Sequence, residues 1–195
     1  AHLKGRQSPI ESDSEDSFEF EEHIVGGRIP KQFIPAIEKG VRDSLGKGPV
    51  AEYPVVGTRI DLDDGSFHEV DSSEKAFYIC AQGCFRDYFK QAAPKLLEPI
   101  MNVEIECPED FQGTVVGDVI RRRGIMTSND IVEGVSVIKA EVPLAETFGY
   151  ATDLRSLTQG QGTFTMELAA YRQTPANIQE EIIEAKKKQQ LVGAK

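Results

Sequence analysis

Between residues 98 and 171 the apolar positions change period in an order that few folds accommodate. Met101, Val103, Ile105 and Cys107 alternate with Asn102, Glu104 and Glu106, the pattern of a strand with one buried face. Helical spacing follows from Pro108. It puts Phe111, Val115, Val116, Val119 and Ile120 inward and Arg121, Arg122 and Arg123 in the last turn, where cations suit the helix dipole, with Gly124 as cap. Two strands come next, at about 124–128 and 133–142, turning around Ser128-Asn129-Asp130. In the second, the apolar parity shifts between Val135/Val137 and Ile138/Ala140/Val142, which predicts a bulge there. A helix over about 144–157 with Phe148 and Ala151 inward, and a strand through Phe164, Met166, Leu168 and Ala170, close the series. The order β-α-β-β-α-β is that of the ferredoxin-like split βαβ fold.

The first half also alternates strand and helix, with different spacing. Apolar-polar alternation in residues 18–25 predicts a strand ended by Gly26-Gly27. Ile34, Ile37, Val41 and Leu45 recur at helical intervals. Pro35 is tolerable only in a first turn, so the regular helix starts within residues 32–34 and closes at Gly46 and Gly48. Residues 53–62 read as a strand with Val56, Thr58, Ile60 and Leu62 on one face, and Asp63-Asp64-Gly65-Ser66 as a turn. Asp71 as N-cap with Glu74 three residues on predicts a helix over 71–93, striped by Phe77, Cys80, Ala81, Cys84, Phe85, Tyr88 and Ala92 and stopped by Pro94. The whole is an α/β (α+β) chain of two small domains. The boundary falls near Pro94 to Pro99, and a polar tail helix with Lys186, Lys187 and Lys188 covers about 177–190.

Chemistry is easier to exclude than to assign. No run approaches the roughly 20 apolar residues that cross a bilayer. There is no phosphate-cradling Gly-x-x-x-x-Gly-Lys-[Ser/Thr] loop, no Cys-x-x-Cys and no nucleophile elbow. Three cysteines do not build a disulfide framework and suit a cytoplasmic chain. Cys80 and Cys84 read as core hydrophobes, with no metal expected. The net charge of −10 argues against an RNA clamp that works by neutralising phosphates. The run Glu11-Ser12-Asp13-Ser14-Glu15-Asp16 reads first as a solvated acidic loop, and second as a negative patch that repels or imitates RNA. Binding is a better class than catalysis.

Two stretches carry more than fold class. Gly48-Pro49-Val50-Ala51-Glu52-Tyr53-Pro54-Val55-Val56, with residues 64–74 from Asp64-Gly65-Ser66-Phe67-His68 onward, resembles domain IV of elongation factor G. Leu97-Glu98-Pro99-Ile100-Met101, Gly117-Asp118, Arg121-Arg122-Arg123-Gly124, and Phe148-Gly149-Tyr150-Ala151-Thr152 with Leu154-Arg155-Ser156-Leu157-Thr158 resemble domain V of the same family. The resemblance implies an elongated domain IV with a left-handed βαβ crossover over 1–96, a ferredoxin-like domain V over 97–173, and a tail over 174–195. It implies a limb of a GTPase that moves tRNA and mRNA through the ribosome. GTP and Mg would belong to a separate G domain, so no cofactor is expected here. The implied partners are ribosomal RNA and proteins, A-site tRNA and mRNA; no membrane is expected, and the chain is expected to be a monomer. Gly65, Ser66, Phe67 and His68 fall on the family's RNA-contacting tip loop, and Arg121, Arg122 and Arg123 are implied rRNA contacts. The opening Ala1-His2, without Met, suggests a piece cut after the family's other, glycine-rich tip loop. A ribosome-recycling paralogue and a non-ribosomal ferredoxin-like binding module are the competing readings. The Gly65-Ser66-Phe67-His68 tip favours the translocase over the tetracycline-protection relatives.

Overall fold

The computed structural model describes residues 1–10 and 18–193; the acidic run 11–16 lies outside the described residues. The chain divides into two units, residues 1–94 with those from Glu180 on, and Lys95–Gln179.

In the first unit, β1 (His2–Pro9) and β2 (Phe18–Glu22) flank β3 (Thr58–Ser66) in the sheet order β1-β3-β2. β1 runs antiparallel to β3 and β2 parallel to it, with α1 (Ile34–Leu45) as the crossover between the parallel pair. α2 (Glu74–Gln91) follows β3. Pro35 sits in the first turn of α1, where its missing N–H costs nothing, preceded by a short 3-10 turn, Lys31–Phe33. The inward residues of α1 are Ile37, Val41 and Leu45, those of α2 Phe77, Ala81 and Phe85, and they meet Leu3, Ile29 and Leu62. Phe33 lies 5.0 Å from Phe77, ring centre to ring centre. Of the expected stripe on α2, Cys80 and Cys84 are half-buried and Tyr88 is exposed.

Three expectations for this unit change. The strand begins at Thr58 rather than at 53, because Gly57 adopts φ +65° and Val56 turns out to solvent. The segment Asp63–Ser66, rich in turn-forming residues, continues the strand: His2, Leu3 and Lys4 pair with Ser66, Gly65 and Asp64. Finally, Ser73, not Asp71, caps α2, its Oγ accepting from the Ala76 N–H at 3.1 Å.

In the second unit, β4 (Leu97–Pro108), β5 (Ile125–Val132), β6 (Val135–Pro143) and β7 (Thr163–Gln173) form an antiparallel sheet in the order β5-β6-β4-β7. α3 (Gln112–Arg121) and α4 (Tyr150–Leu157) supply the two helices of the split βαβ fold. Val103, Ile105 and Cys107 of β4 and Ile138, Ala140 and Val142 of β6 pack with Val115 and Val119 of α3 and Tyr150 and Leu154 of α4. The β5–β6 turn is Glu133-Gly134, at φ +53° and +80°, rather than 128–130. Two consecutive positive φ angles are what a tight two-residue hairpin with the right strand twist requires. The bulge lies in β5, where register shifts between Met126 and Ser128, and β6 keeps one buried parity from Ser136 to Val142.

The expected helix over 144–157 is broken. A 3-10 turn, Leu144–Glu146, comes first, Gly149 then takes φ +77°, and α4 restarts the periodicity at Tyr150. Phe148 and Ala151 therefore face outward, Phe148 at 78% exposure. Ile120, expected inward on α3, is also exposed, because Asp118 occupies the inner side of that turn. α5 (Ala176–Gly193) is the tail helix. Among the described residues, no helix is long and apolar enough to cross a membrane.

Candidate nucleic-acid interface

The four tip residues alternate between packing and exposure. Gly65 is buried; a Cβ built there would lie 2.4 Å from Ile29 Cδ1 and 2.5 Å from the His2 carbonyl oxygen, so only glycine lets β1 and Ile29 close on β3. Asp64 accepts from the Gly65 N–H at 2.8 Å and from Arg28 at 2.7 Å, and these bonds hold its carboxyl below the ordinary range. Ser66 is exposed. Phe67 turns inward and stacks on Phe33, ring centres 5.5 Å apart.

His68 then points out, its side chain 71% exposed. Its backbone is fixed twice: its N–H donates to Ser72 Oγ at 3.0 Å, and its carbonyl accepts from the Ser72 N–H at 2.9 Å. Its Nδ1 accepts from the Val70 N–H at 3.4 Å and lies 3.4 Å from Asp71 Oδ2. Nε2 has no partner among the described residues, so it is the nitrogen left to donate to a phosphate or a 2′-hydroxyl. Asp71, expected as a helix cap, instead borders this imidazole.

In the second unit the three arginines have three different fates. Arg122 is buried at 9% exposure. Its Nε donates to Asp118 at 2.7 Å, one terminal nitrogen to the Glu146 carbonyl at 2.6 Å and the other to Asp153, while the guanidinium lies 4.9 Å over the Tyr150 ring. Arg123, at φ +61° just past α3, pairs with Glu98 and, at 3.7 Å, with Glu146. Arg121 shares Asp118 with Arg122, yet its side chain is 71% exposed. Burial alone would raise the Asp118 carboxyl, but hydrogen bonds from Arg121 and Arg122 overcome it and leave it below the ordinary range. Sequence reasoning missed Asp118 as an interior residue. The signal was its spacing to arginines three and four positions on, the reach of a helical ion pair.

A further cluster joins Glu21, His23 and Asp61, whose ligand-type atoms fall within 4.8 Å of one another. Arg59 already donates to the same carboxylates, at 2.7 Å to Glu21 and 3.1 Å to Asp61, so the outer face of this sheet reads as an ion-pair ladder.

These two sheets define the class: a tandem of small α/β domains, the second ferredoxin-like, with an exposed imidazole on a braced loop of the first. The chain belongs to the elongation factor G family, matching "Elongation factor G, domain IV" over residues 1–93 and "Elongation factor G C-terminus" over residues 95–182. It is 80% identical over 195 residues to elongation factor G of Rhodopirellula baltica, covering 100% of this chain and 28% of that relative. A crystal structure from Thermus thermophilus is similar with TM-score 0.79 at 36% identity, over 93% of this chain and 27% of the other. The chain thus spans less than a third of the length of the relatives it matches.

Proposed function

We propose that this chain is the ribosome- and tRNA-contacting limb of an elongation factor G that promotes GTP-dependent movement of tRNA and mRNA in the cytoplasm. GTP hydrolysis with Mg belongs to a G domain of the parent protein. In this reading, residues 66–68 approach the A-site tRNA and mRNA at the decoding centre, with His68 Nε2 donating to RNA and Ser66 beside it. Gly65 and Phe67 act from behind, closing the strand and anchoring the loop. On the second unit, Arg121 meets large-subunit rRNA phosphate, while Arg122 and Arg123 hold the domain together. The observation that carries the proposal is the imidazole held outward by a loop whose backbone is doubly hydrogen-bonded, since a preorganised donor loses little freedom on binding.

The test uses the parent protein with its G domain and follows one round of translocation by toeprinting. His68→Ala is expected to leave ribosome-stimulated GTP hydrolysis unchanged and to slow tRNA movement by at least about tenfold, the loss of one charge-assisted or well-aligned hydrogen bond. Equal movement by both proteins removes His68 from the contact and favours the recycling reading.

A further inference from the structure

α2 carries a pair of thiols that no step of the proposed function uses. Cys80 and Cys84 stand one helical turn apart, at i and i+4, and both are free thiols. Each is half-buried and packs against the core of the first unit without entering it. The Cys80 thiol makes a weak bond to the Ala1 carbonyl oxygen, 3.7 Å away. Cys84 lines an open depression whose lining mixes Leu3, Phe85 and Tyr88 with Lys4, Arg6 and Asp61, so a reagent in water reaches it.

Spacing decides what such a pair can hold. Side chains at i and i+4 keep their Cβ atoms about 5–6 Å apart. A disulfide needs them at about 3.5–4.5 Å, so closing one here would distort the helix. An atom that bridges the two sulfurs adds a second bond to the span and meets the helical distance. Zinc would require four ligands. Among the described residues the only group of three candidate ligands is Glu21, His23 and Asp61, which includes neither cysteine. The pair therefore suits a soft centre that two sulfurs satisfy. Burial first, and then the neighbouring Cys80, push the Cys84 thiol up to about 11. At neutral pH it stays protonated and reacts poorly with oxidants and alkylating agents, which require the thiolate.

We propose that Cys80 and Cys84 form a chelating site for monosubstituted trivalent arsenicals, whose single carbon substituent leaves two valences for sulfur. Two thiols and one arsenoxide, R–As=O, give a cyclic dithioarsenite and one water. Two S–H bonds and the As–O bond break, two As–S bonds form, and both thiol protons leave on the oxygen. Arsenic stays trivalent, so neither an oxidant nor a reductant takes part. The closed ring spans one turn of α2.

The test adds phenylarsine oxide to the full chain in millimolar glutathione, a monothiol, and reads bound arsenic by intact mass spectrometry. One phenylarsenic group per chain is expected to survive glutathione and to be stripped by 2,3-dimercaptopropanol, a dithiol. Cys80→Ala and Cys84→Ala, each checked for folding by circular dichroism, are expected to weaken retention by at least about a hundredfold, the advantage of closing the second bond within one molecule. Each variant keeps Cys107 and one other thiol, so a loss reports on the pair. If a variant does not fold, tandem mass spectrometry of the wild-type adduct decides, with the arsenic expected to bridge positions 80 and 84. No glutathione-resistant adduct in the wild type, an adduct retained equally by a folded single variant, or arsenic bound elsewhere would each overturn the proposal.

Discussion

Asp118 shows how far a single residue can depart from what its type suggests. An aspartate on an amphipathic helix reads as solvent-facing, yet this carboxylate is 6% exposed and answers two guanidinium groups. Breaking a buried pair by removing one partner leaves an uncompensated charge, so Asp118→Asn is expected to destabilise the second unit by about 3 kcal/mol at pH 7. Asp118's folded-state pKa lies below its unfolded value, so its contribution is full above about pH 4 and is lost as pH falls through the folded value. Urea midpoints of wild type and Asp118→Asn are therefore expected to converge below about pH 4; a gap that stays constant to about pH 2.5 contradicts this assignment. At this scale the tip was legible in part. Gly65, Ser66, Phe67 and His68 form one continuous stretch, but the sequence could not sort them, because exposure depends on Phe33 and Ile29, more than thirty positions away. The arginine triplet likewise looked uniform until Asp153, Glu98 and Tyr150 were brought to it by other elements.

At the scale of elements, the strongly periodic segments were readable and the turns were not. α1, α2, β4 and β7 carry long apolar repeats and fall where spacing puts them. β1 left no signal, since His2-Leu3-Lys4-Gly5-Arg6-Gln7-Ser8-Pro9 contains one large apolar residue. It holds its place at the sheet edge through the ladder to β3 and through the Arg6–Asp63 pair, both bonds at 2.9 Å. With β1 unseen, Asp63–Ser66 had no partner and its turn-forming side chains decided the reading. The β5–β6 hairpin was misplaced for a related reason. Ser-Asn-Asp has stronger turn chemistry than Glu-Gly, but twist selects the two positive φ angles at Glu133 and Gly134. Glutamate in the left-handed region is strained by about 1 kcal/mol relative to asparagine, so Glu133→Asn is expected to raise the melting temperature of this unit by about 4 °C. A fall on the same substitution, measured by calorimetry, would mean that Glu133 is held by contacts stronger than its backbone strain.

For the molecule as a whole, charge decides how it can meet RNA. With 32 acidic and 22 basic side chains, the chain carries −10, and like-charge repulsion works against any broad phosphate-binding face. Under the proposed function, contact with RNA falls to particular exposed donors, with His68 on the first unit and Arg121 on the second as the candidates. Because the chain covers 28% of its Rhodopirellula relative, the proposed contacts are tested in the parent protein. The measurement that tests them most directly is directed hydroxyl-radical cleavage. His68→Cys and Arg121→Cys, each in a cysteine-free parent protein, would carry a tethered iron chelate on the ribosome. Cleavage from position 68 is expected in small-subunit rRNA at the decoding centre, and from position 121 in large-subunit rRNA near the GTPase-associated centre. Cuts from position 68 confined to the large subunit, or no rRNA cleavage from either position, would contradict the account.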